Sequence, residues 1–202
     1  MGRPRKFDEN EVLDAVGATF QDHGYTATSL DDIMQASGLG KGSLYAAFGD
    51  KYSLFRRVFD NYCSTVAQSM SNALDGPDDT ALQRLQSLLE RAAHRSGDSA
   101  APLACFLAKS TAELAASDPE VAARSRRAFT ELADSITGCI AQAQRAGDID
   151  SRSDPRRLGN HILVTLRGIE ALVESGSSAR MLDDAASVAL EVLRSPAHQQ
   201  QR

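Results

Sequence analysis

Apolar residues recur every three to four positions along most of the chain, the spacing that lines one face of a helix. Val12, Leu13, Val16 and Phe20 predict a first helix over residues 8–23. Asp8, Glu9 and Glu11 sit in its first turn, where the helix dipole favours acids. His23-Gly24 marks its end, since glycine tolerates the left-handed conformation that closes helices, and Tyr25 is expected to pack back on it. Thr28 or Ser29 caps a short second helix carrying Leu30, Ile33 and Met34, with Asp31 or Asp32 near the capping-box position. It stops at Ser37-Gly38, and Gly38-Leu39-Gly40 forms a tight turn. A third helix, about 42–48, buries Leu44 and Phe48, one turn apart, while Ser43, Tyr45 and Ala46 point elsewhere. Asp50 caps a long fourth helix reaching about residue 73, with Tyr52, Phe55, Phe59, Tyr62, Val66 and Met70 in one stripe.

Asp75-Gly76-Pro77-Asp78-Asp79 interrupts the pattern, which then stays helical almost to the end. Leu82, Leu85, Leu88 and Leu89 form one stripe. Leu103, Phe106, Leu107, Ser110 and Leu114 form another, in a helix of about 101–117. Asp118-Pro119 and Asp154-Pro155 each read as a cap followed by a first-turn proline. The helices they open carry Val121, Phe129, Leu132, Ile136 and Ile140, and Leu158, Ile162, Leu166, Ile169 and Leu172. Ser175-Gly176-Ser177-Ser178 precedes a last helix, about 181–193, and the tail from Pro196 to Arg202 reads as loose. The pattern shows no strand and no internal repeat, so the expected fold class is all-α.

Charged residues make up 24% and hydrophobic residues 42% of the 202, an ordinary globular balance. No run is apolar enough to span a bilayer, and the N-terminus lacks the apolar core of a secretory signal, so a cytoplasmic protein with no membrane partner is expected. Cys63, Cys105 and Cys139 are odd in number and far apart, which argues against a disulfide framework or a zinc site. Net charge is −5, and the first 60 residues hold seven Lys/Arg against nine Asp/Glu. Any binding to a polyanion must therefore depend on where the cations stand rather than on their sum.

Two short helices joined by a glycine-containing turn, the second exposing small and polar residues, form the helix-turn-helix pattern. Gly40, Lys41, Gly42 and Ser43 keep the second helix slim enough at its start to enter the major groove. Across Phe7 to Phe55, the stretches Gly24-Tyr25, Thr28-Ser29-Leu30-Asp31-Asp32-Ile33, Ser37-Gly38-Leu39-Gly40-Lys41-Gly42-Ser43-Leu44-Tyr45 and Phe48-Gly49-Asp50-Lys51 resemble the N-terminal domain of the TetR family of repressors. Ala104-Cys105-Phe106-Leu107, with Ser110 to Pro119, resembles the ligand domain of a subgroup that includes electrophile- and acrylate-responsive repressors.

The resemblance implies a helix-turn-helix domain over residues 1–50, a linking fourth helix over 50–73, and a larger helical ligand-binding and dimerisation domain over 51–202. It implies a homodimer on a palindromic double-stranded DNA operator, released by a small-molecule or electrophile inducer. An activator, or a regulator of the same fold that needs no ligand, is the alternative. Lys41, Gly42, Ser43 and Ala46, with Ser29 and Gly40 beside them, would stand at or near the DNA. Thr28, Tyr45 and Lys51 would hold phosphates, and Arg3, Arg5 and Lys6 would form a basic arm. Alanine at 46 and 47, where the family often carries His or Tyr, removes polar contacts, which leaves a methyl contact to thymine or shifts readout toward Ser43 and Lys41. Tyr45 as a packing residue and Lys51 as a solvated charge remain the plainer readings.

For the ligand pocket the candidates are Cys105, Phe106, Lys109, Glu113, His161 and Thr165. Each has a plainer alternative: a buried thiol for Cys105, an i,i+4 ion pair for Lys109 and Glu113, a core imidazole for His161. The dimer face is expected on the last two helices, at Leu158, Ile162, Leu166, Ile169, Leu172, Val188, Ala189 and Val192, although the same stripes could close the protomer's own core. No nucleophile elbow, phosphate loop or metal-spaced cluster is present, and the four histidines lie in four separate segments. An enzyme, a cofactor and a metal are therefore not expected.

Overall fold

The computed structural model describes residues 7–94 and 105–194, Cys105 by its backbone alone. Arg3, Arg5 and Lys6, Leu103, the side chain of Cys105 and the tail from Pro196 lie outside the described residues. Nine α-helices and a 3₁₀ turn account for nearly all of the described chain.

Asp8 caps α1 (Glu9–Ala27) by accepting the Asn10 N–H at 2.8 Å. The expected stop at Gly24 is there, but as a break inside the helix. Gly24 leaves helical geometry at φ 81°, ψ 174°, and Tyr25–Ala27 add one further turn. Ser29 caps α2 (Leu30–Ser37) in a full capping box with Asp32. The serine hydroxyl accepts the Asp32 N–H at 3.1 Å, and the Asp32 carboxylate accepts the Ser29 N–H at 2.7 Å. After Gly38 the chain turns into α3 (Lys41–Phe48), and Asp50 starts α4 (Lys51–Leu74) by accepting the Ser53 N–H.

The 3₁₀ turn at Asp78–Thr80 leads into α5 (Ala81–Ala93). Then come α6 (Cys105–Leu114), α7 (Pro119–Ala146), α8 (Pro155–Glu174) and α9 (Ala179–Arg194). Both Asp-Pro pairs behave as read from the sequence: Asp118 accepts the Glu120 and Val121 N–H groups, and Asp154 those of Arg156 and Arg157.

The helices form two compact units, Met1–Thr65 with Cys105–Arg126, and Val66–Ala104 with Arg127–Arg202. The first unit thus holds α6 and the start of α7 as well as the N-terminal helices. Its core is aromatic: Phe55 meets Phe20 edge-on at 5.4 Å and stacks with Phe59 at 5.7 Å, and Phe106 sets its edge or face against Phe55, Phe59 and Tyr62. In the second unit α5, α8 and α9 pack on one another. Leu85, Leu89, Leu132, Ile136, Ile140, Ile162 and Leu193 are fully covered there. Arg84 closes the turn before α5, donating to the carbonyls of Leu74 (3.0 Å) and Pro77 (2.8 Å) and to Gln142 (2.7 Å). Cys63 and Cys139 are buried, as small core residues should be. Burial, only partly offset by Arg84, pushes the Cys139 thiol pKa up.

Candidate nucleic-acid interface

The third helix has two functions to reconcile. It must be anchored, and it must keep its outer face free. Leu44 and Phe48 anchor it, 3% and 5% exposed. The Arg57 guanidinium of α4 lies 4.9 Å from the Phe48 ring centroid while its Nη2 pairs with Glu9 of α1 at 2.6 Å, so one side chain ties α1, α3 and α4 together. Lys41, Gly42, Ser43, Tyr45 and Ala46 all face solvent, with Gly40 and Ser29 exposed beside them. Gly40 caps α3 through its backbone only, so no side chain blocks the helix start. A β-carbon at Gly40 or Gly42 would meet nothing within 4 Å. This slim, outward face agrees with the pattern read from the sequence, and Tyr45 is 45% exposed. Lys41 Nζ lies 5.9 Å from the centre of its ring.

Lys51, in the first turn of α4, extends over the Tyr25 ring, its Nζ 4.5 Å from the centroid. Arg56, one turn on, pairs with Glu120 and lies against the Tyr52 ring, and the Tyr52 hydroxyl donates to Asp118 at 2.6 Å. That bond, then burial and the Asp118 charge, raise the Tyr52 pKa. Asp50 is held below the usual carboxylate range by the Ser53 backbone and hydroxyl.

Thr28 departs from its expected role. It is 1% exposed, and its hydroxyl donates to the Gly24 carbonyl at 2.6 Å, so it locks the end of α1 and does not face a phosphate. A threonine next to a cap looks alike in sequence whether its hydroxyl turns out or back.

Lys109 and Glu113 also depart from the pocket expected for them, and from a simple pair with each other. Both reach α1. Lys109 Nζ donates to the carbonyls of Gln21 (3.0 Å) and Asp22 (2.6 Å), where the first segment of α1 ends. The Glu113 carboxylate accepts the N–H groups of Tyr25 (3.0 Å) and Thr26 (2.7 Å), where the next turn begins. A cation on the carbonyl end and an anion on the amide end is the arrangement that helix termini favour. Burial pushes the Glu113 pKa up, but the bonds from Thr26 and Tyr25 and the Lys109 charge outweigh it, and the net shift is downward. These contacts span 87 or 88 positions in the chain, so no local spacing could have disclosed them.

The remaining pocket candidates differ in exposure. Phe106 is fully covered by the aromatic cluster, His161 is exposed rather than set in the apolar face of α8, and Thr165 is half-buried. Ala108 and Ala112 of α6 face solvent. The dimer-face candidates divide as well. Leu158, Ile162, Leu166, Ile169 and Ala189 are buried within their own unit, Leu172 and Val192 are half-buried, and Val188 is 55% exposed. Periodicity finds an apolar stripe but not which neighbour covers it. The large apolar side chains left outside on these helices are Val164 (71%), Met181 (52%) and Val188.

Among the described residues no helix is long and apolar enough to cross a membrane, and no group of three or more His, Cys, Asp or Glu is placed to hold a metal. The family profile "Bacterial regulatory proteins, tetR family" matches residues 12–58, and "Tetracyclin repressor-like, C-terminal domain" matches 81–189, more than half the chain. The HTH-type transcriptional repressor ComR of Escherichia coli is 28% identical over 193 residues, which cover 95% of this chain and 91% of that protein. The reduced form of Escherichia coli NemR shares the fold at TM-score 0.80 and 13% identity, covering 93% of this chain and 98% of that one. A cysteine mutant of the TetR family regulator CifR, crystallised with 26-base-pair operator DNA, shares it at 0.68 and 23%, covering 94% and 98%. The chain belongs to the TetR family of helix-turn-helix transcriptional regulators.

Proposed function

We propose that the protein is a repressor that binds a palindromic operator as a homodimer and leaves it when a small-molecule or electrophile inducer binds the larger helical domain. The observation that carries the DNA-reading half is the outer face of α3, where Lys41, Gly42, Ser43, Tyr45 and Ala46 are exposed above a fixed Leu44 and Phe48. Lys41, Gly42, Ser43 and Ala46 meet base edges, Tyr45 and Lys51 meet phosphates, and Arg3, Arg5 and Lys6 follow the backbone as an arm.

The grip of Lys109 and Glu113 on α1 supports ligand control, because it gives α6 a direct hold on the helix that frames the reading unit. Cys105, the first residue of α6, is the candidate sensor thiol. The dimer forms through α8 and α9, with Val164, Met181 and Val188 at its centre, exposed apolar side chains that a second copy would cover. Two reading helices then meet half-sites about 34 Å apart, one DNA turn.

The test is a gel-shift with DNA upstream of the protein's own gene and of its neighbours. Retardation by the wild type, lost in Tyr45→Ala and retained in Gln200→Ala, supports the reading. Equal retardation by all three proteins overturns it. DNA release by electrophiles that persists unchanged in Cys105→Ser removes Cys105 as the sensor.

A further inference from the structure

A flexible lysine is a poor phosphate clamp unless something holds it in place. Its ammonium is a compact charge on a four-carbon stem, and ordering that stem costs rotamer entropy. A carboxylate partner would order it but would also take up its charge and its donors. An aromatic face orders the cation and leaves its N–H groups free for an incoming oxygen.

Lys51 has the second kind of partner. Its Nζ stands 4.5 Å from the Tyr25 ring centroid. The nearby Asp50 carboxylate is engaged by the Ser53 N–H at 2.7 Å. The Tyr25 ring is itself fixed on three sides: stacked with Phe20 at 6.4 Å, tilted on Phe55 at 4.9 Å, and met edge-on by Tyr52 at 6.2 Å. Its backbone N–H is held by Glu113 of α6 at 3.0 Å, directly after the break at Gly24. Burial, with the charges of Asp50, Asp118 and Glu113, raises its pKa, so the ring under Lys51 is the neutral phenol.

We infer that Tyr25 is a positioning residue for a Lys51–phosphate contact, and that Glu113 of α6 fixes where that ring, and so the ammonium, stands. This rests on the reading of Lys51 as a DNA contact proposed above, and goes beyond it in naming what aims the lysine and that α6 controls the aim. A shift of α6 would act on the phosphate contact in two steps, Glu113 to the Tyr25 backbone and the Tyr25 ring to Lys51.

The experiment measures affinity as a function of salt for the full-length protein and a fluorescein-labelled duplex that the wild type has enriched from a random library. The variants are Tyr25→Leu, Tyr25→Phe, Lys51→Met and the Tyr25→Leu/Lys51→Met double. Losing one phosphate contact should lower the slope of log K against log salt by about 1 per protomer in Lys51→Met. Tyr25→Leu should weaken binding about three- to tenfold and flatten the slope in the same direction, while Tyr25→Phe, which keeps the ring face, matches the wild type. In the Lys51→Met background Tyr25→Leu should cost nothing more.

If the two losses multiply, Tyr25 does not act through Lys51 and the inference is overturned. If Lys51→Met changes neither affinity nor slope, Lys51 touches no phosphate, and the reading beneath the inference fails with it. Should Tyr25→Leu not fold, Glu113→Ala replaces it, since it keeps the aromatic side chain but releases the backbone bond that sets its position. Its loss must also vanish in the Lys51→Met background, and a loss that persists there overturns the role given to Glu113.

Discussion

The Glu113 carboxylate stands where a side chain on Gly24 would have to go. A β-carbon built on Gly24 would lie 2.8 Å from Glu113 Oε2, and the backbone there, at φ 81° and ψ 174°, is of a kind essentially confined to glycine. One glycine thus serves two ends, breaking α1 and making room for the carboxylate that caps the turn after the break.

Gly24→Ala should therefore be among the more damaging single-methyl additions in this protein. Backbone strain alone predicts about 2 kcal/mol of lost stability, and displacement of Glu113 adds to it. Urea unfolding followed by circular dichroism gives the number. A change below about 0.5 kcal/mol would mean that the break does not depend on glycine.

Glu113→Gln should lower stability by about 1 kcal/mol at neutral pH, because an amide caps the two N–H groups less well than a carboxylate. Since the folded carboxyl titrates below its unfolded value, its charge stabilises the fold fully above that unfolded value, and the benefit is lost as pH falls through the lower folded one. The gap between wild type and variant should accordingly close on acidification. A gap that stays constant from pH 7 to pH 3 would show that the charge plays no part.

Tyr45→Ala should leave thermal stability within about 0.5 kcal/mol of wild type, since the ring is half exposed, yet reduce operator affinity on the order of tenfold. Calorimetry and fluorescence anisotropy on one preparation separate the two effects. Equal falls in both would return Tyr45 to a packing role.

Val164→Asp puts a charge on a side chain that is 71% exposed in the single chain, so the protomer should fold normally. In a dimer seam the same charge is buried without a partner. Light scattering should then read the mass of one chain where the wild type reads two. A variant that stays dimeric would place the seam elsewhere.

Gly159 of α8 approaches α7 so closely that an added β-carbon would collide with the Thr137 hydroxyl and lie 3.3 Å from the Thr137 Cα. The hydroxyl is fixed, donating to Ala133 O at 2.7 Å. Gly159→Ala should cost about 1–3 kcal/mol, and adding Thr137→Ala should recover part of it. No recovery in the double variant would place the strain in the backbones.

Helix order was legible in the sequence because caps and stripes are local. Ser29 with Asp32, and the Asp118-Pro119 and Asp154-Pro155 pairs, open helices as their residue types require. So was the outer face of α3, since burying Leu44 and Phe48 on an eight-residue helix turns Lys41, Ser43, Tyr45 and Ala46 outward. What was hidden depends on distant partners. Nothing near Thr28 says that its hydroxyl turns back to Gly24, and nothing near Lys109 or Glu113 points to α1. The α8 stripe is apolar as its spacing predicts, yet Ile162 and Ile169 are covered within the chain itself, while Val164, off the stripe, is not covered.

The pairing of Arg56 with Glu120 and of Arg57 with Glu9 has a consequence for how the protein lives among other DNA. Binding to arbitrary sequence is driven almost wholly by free cations displacing counterions, and a bacterial chromosome offers millions of such places. Arg56 and Arg57, each already paired with a carboxylate of the same chain, must give up that partner to meet a phosphate. Those two positions then add less to binding at arbitrary sequence than two unpaired arginines would.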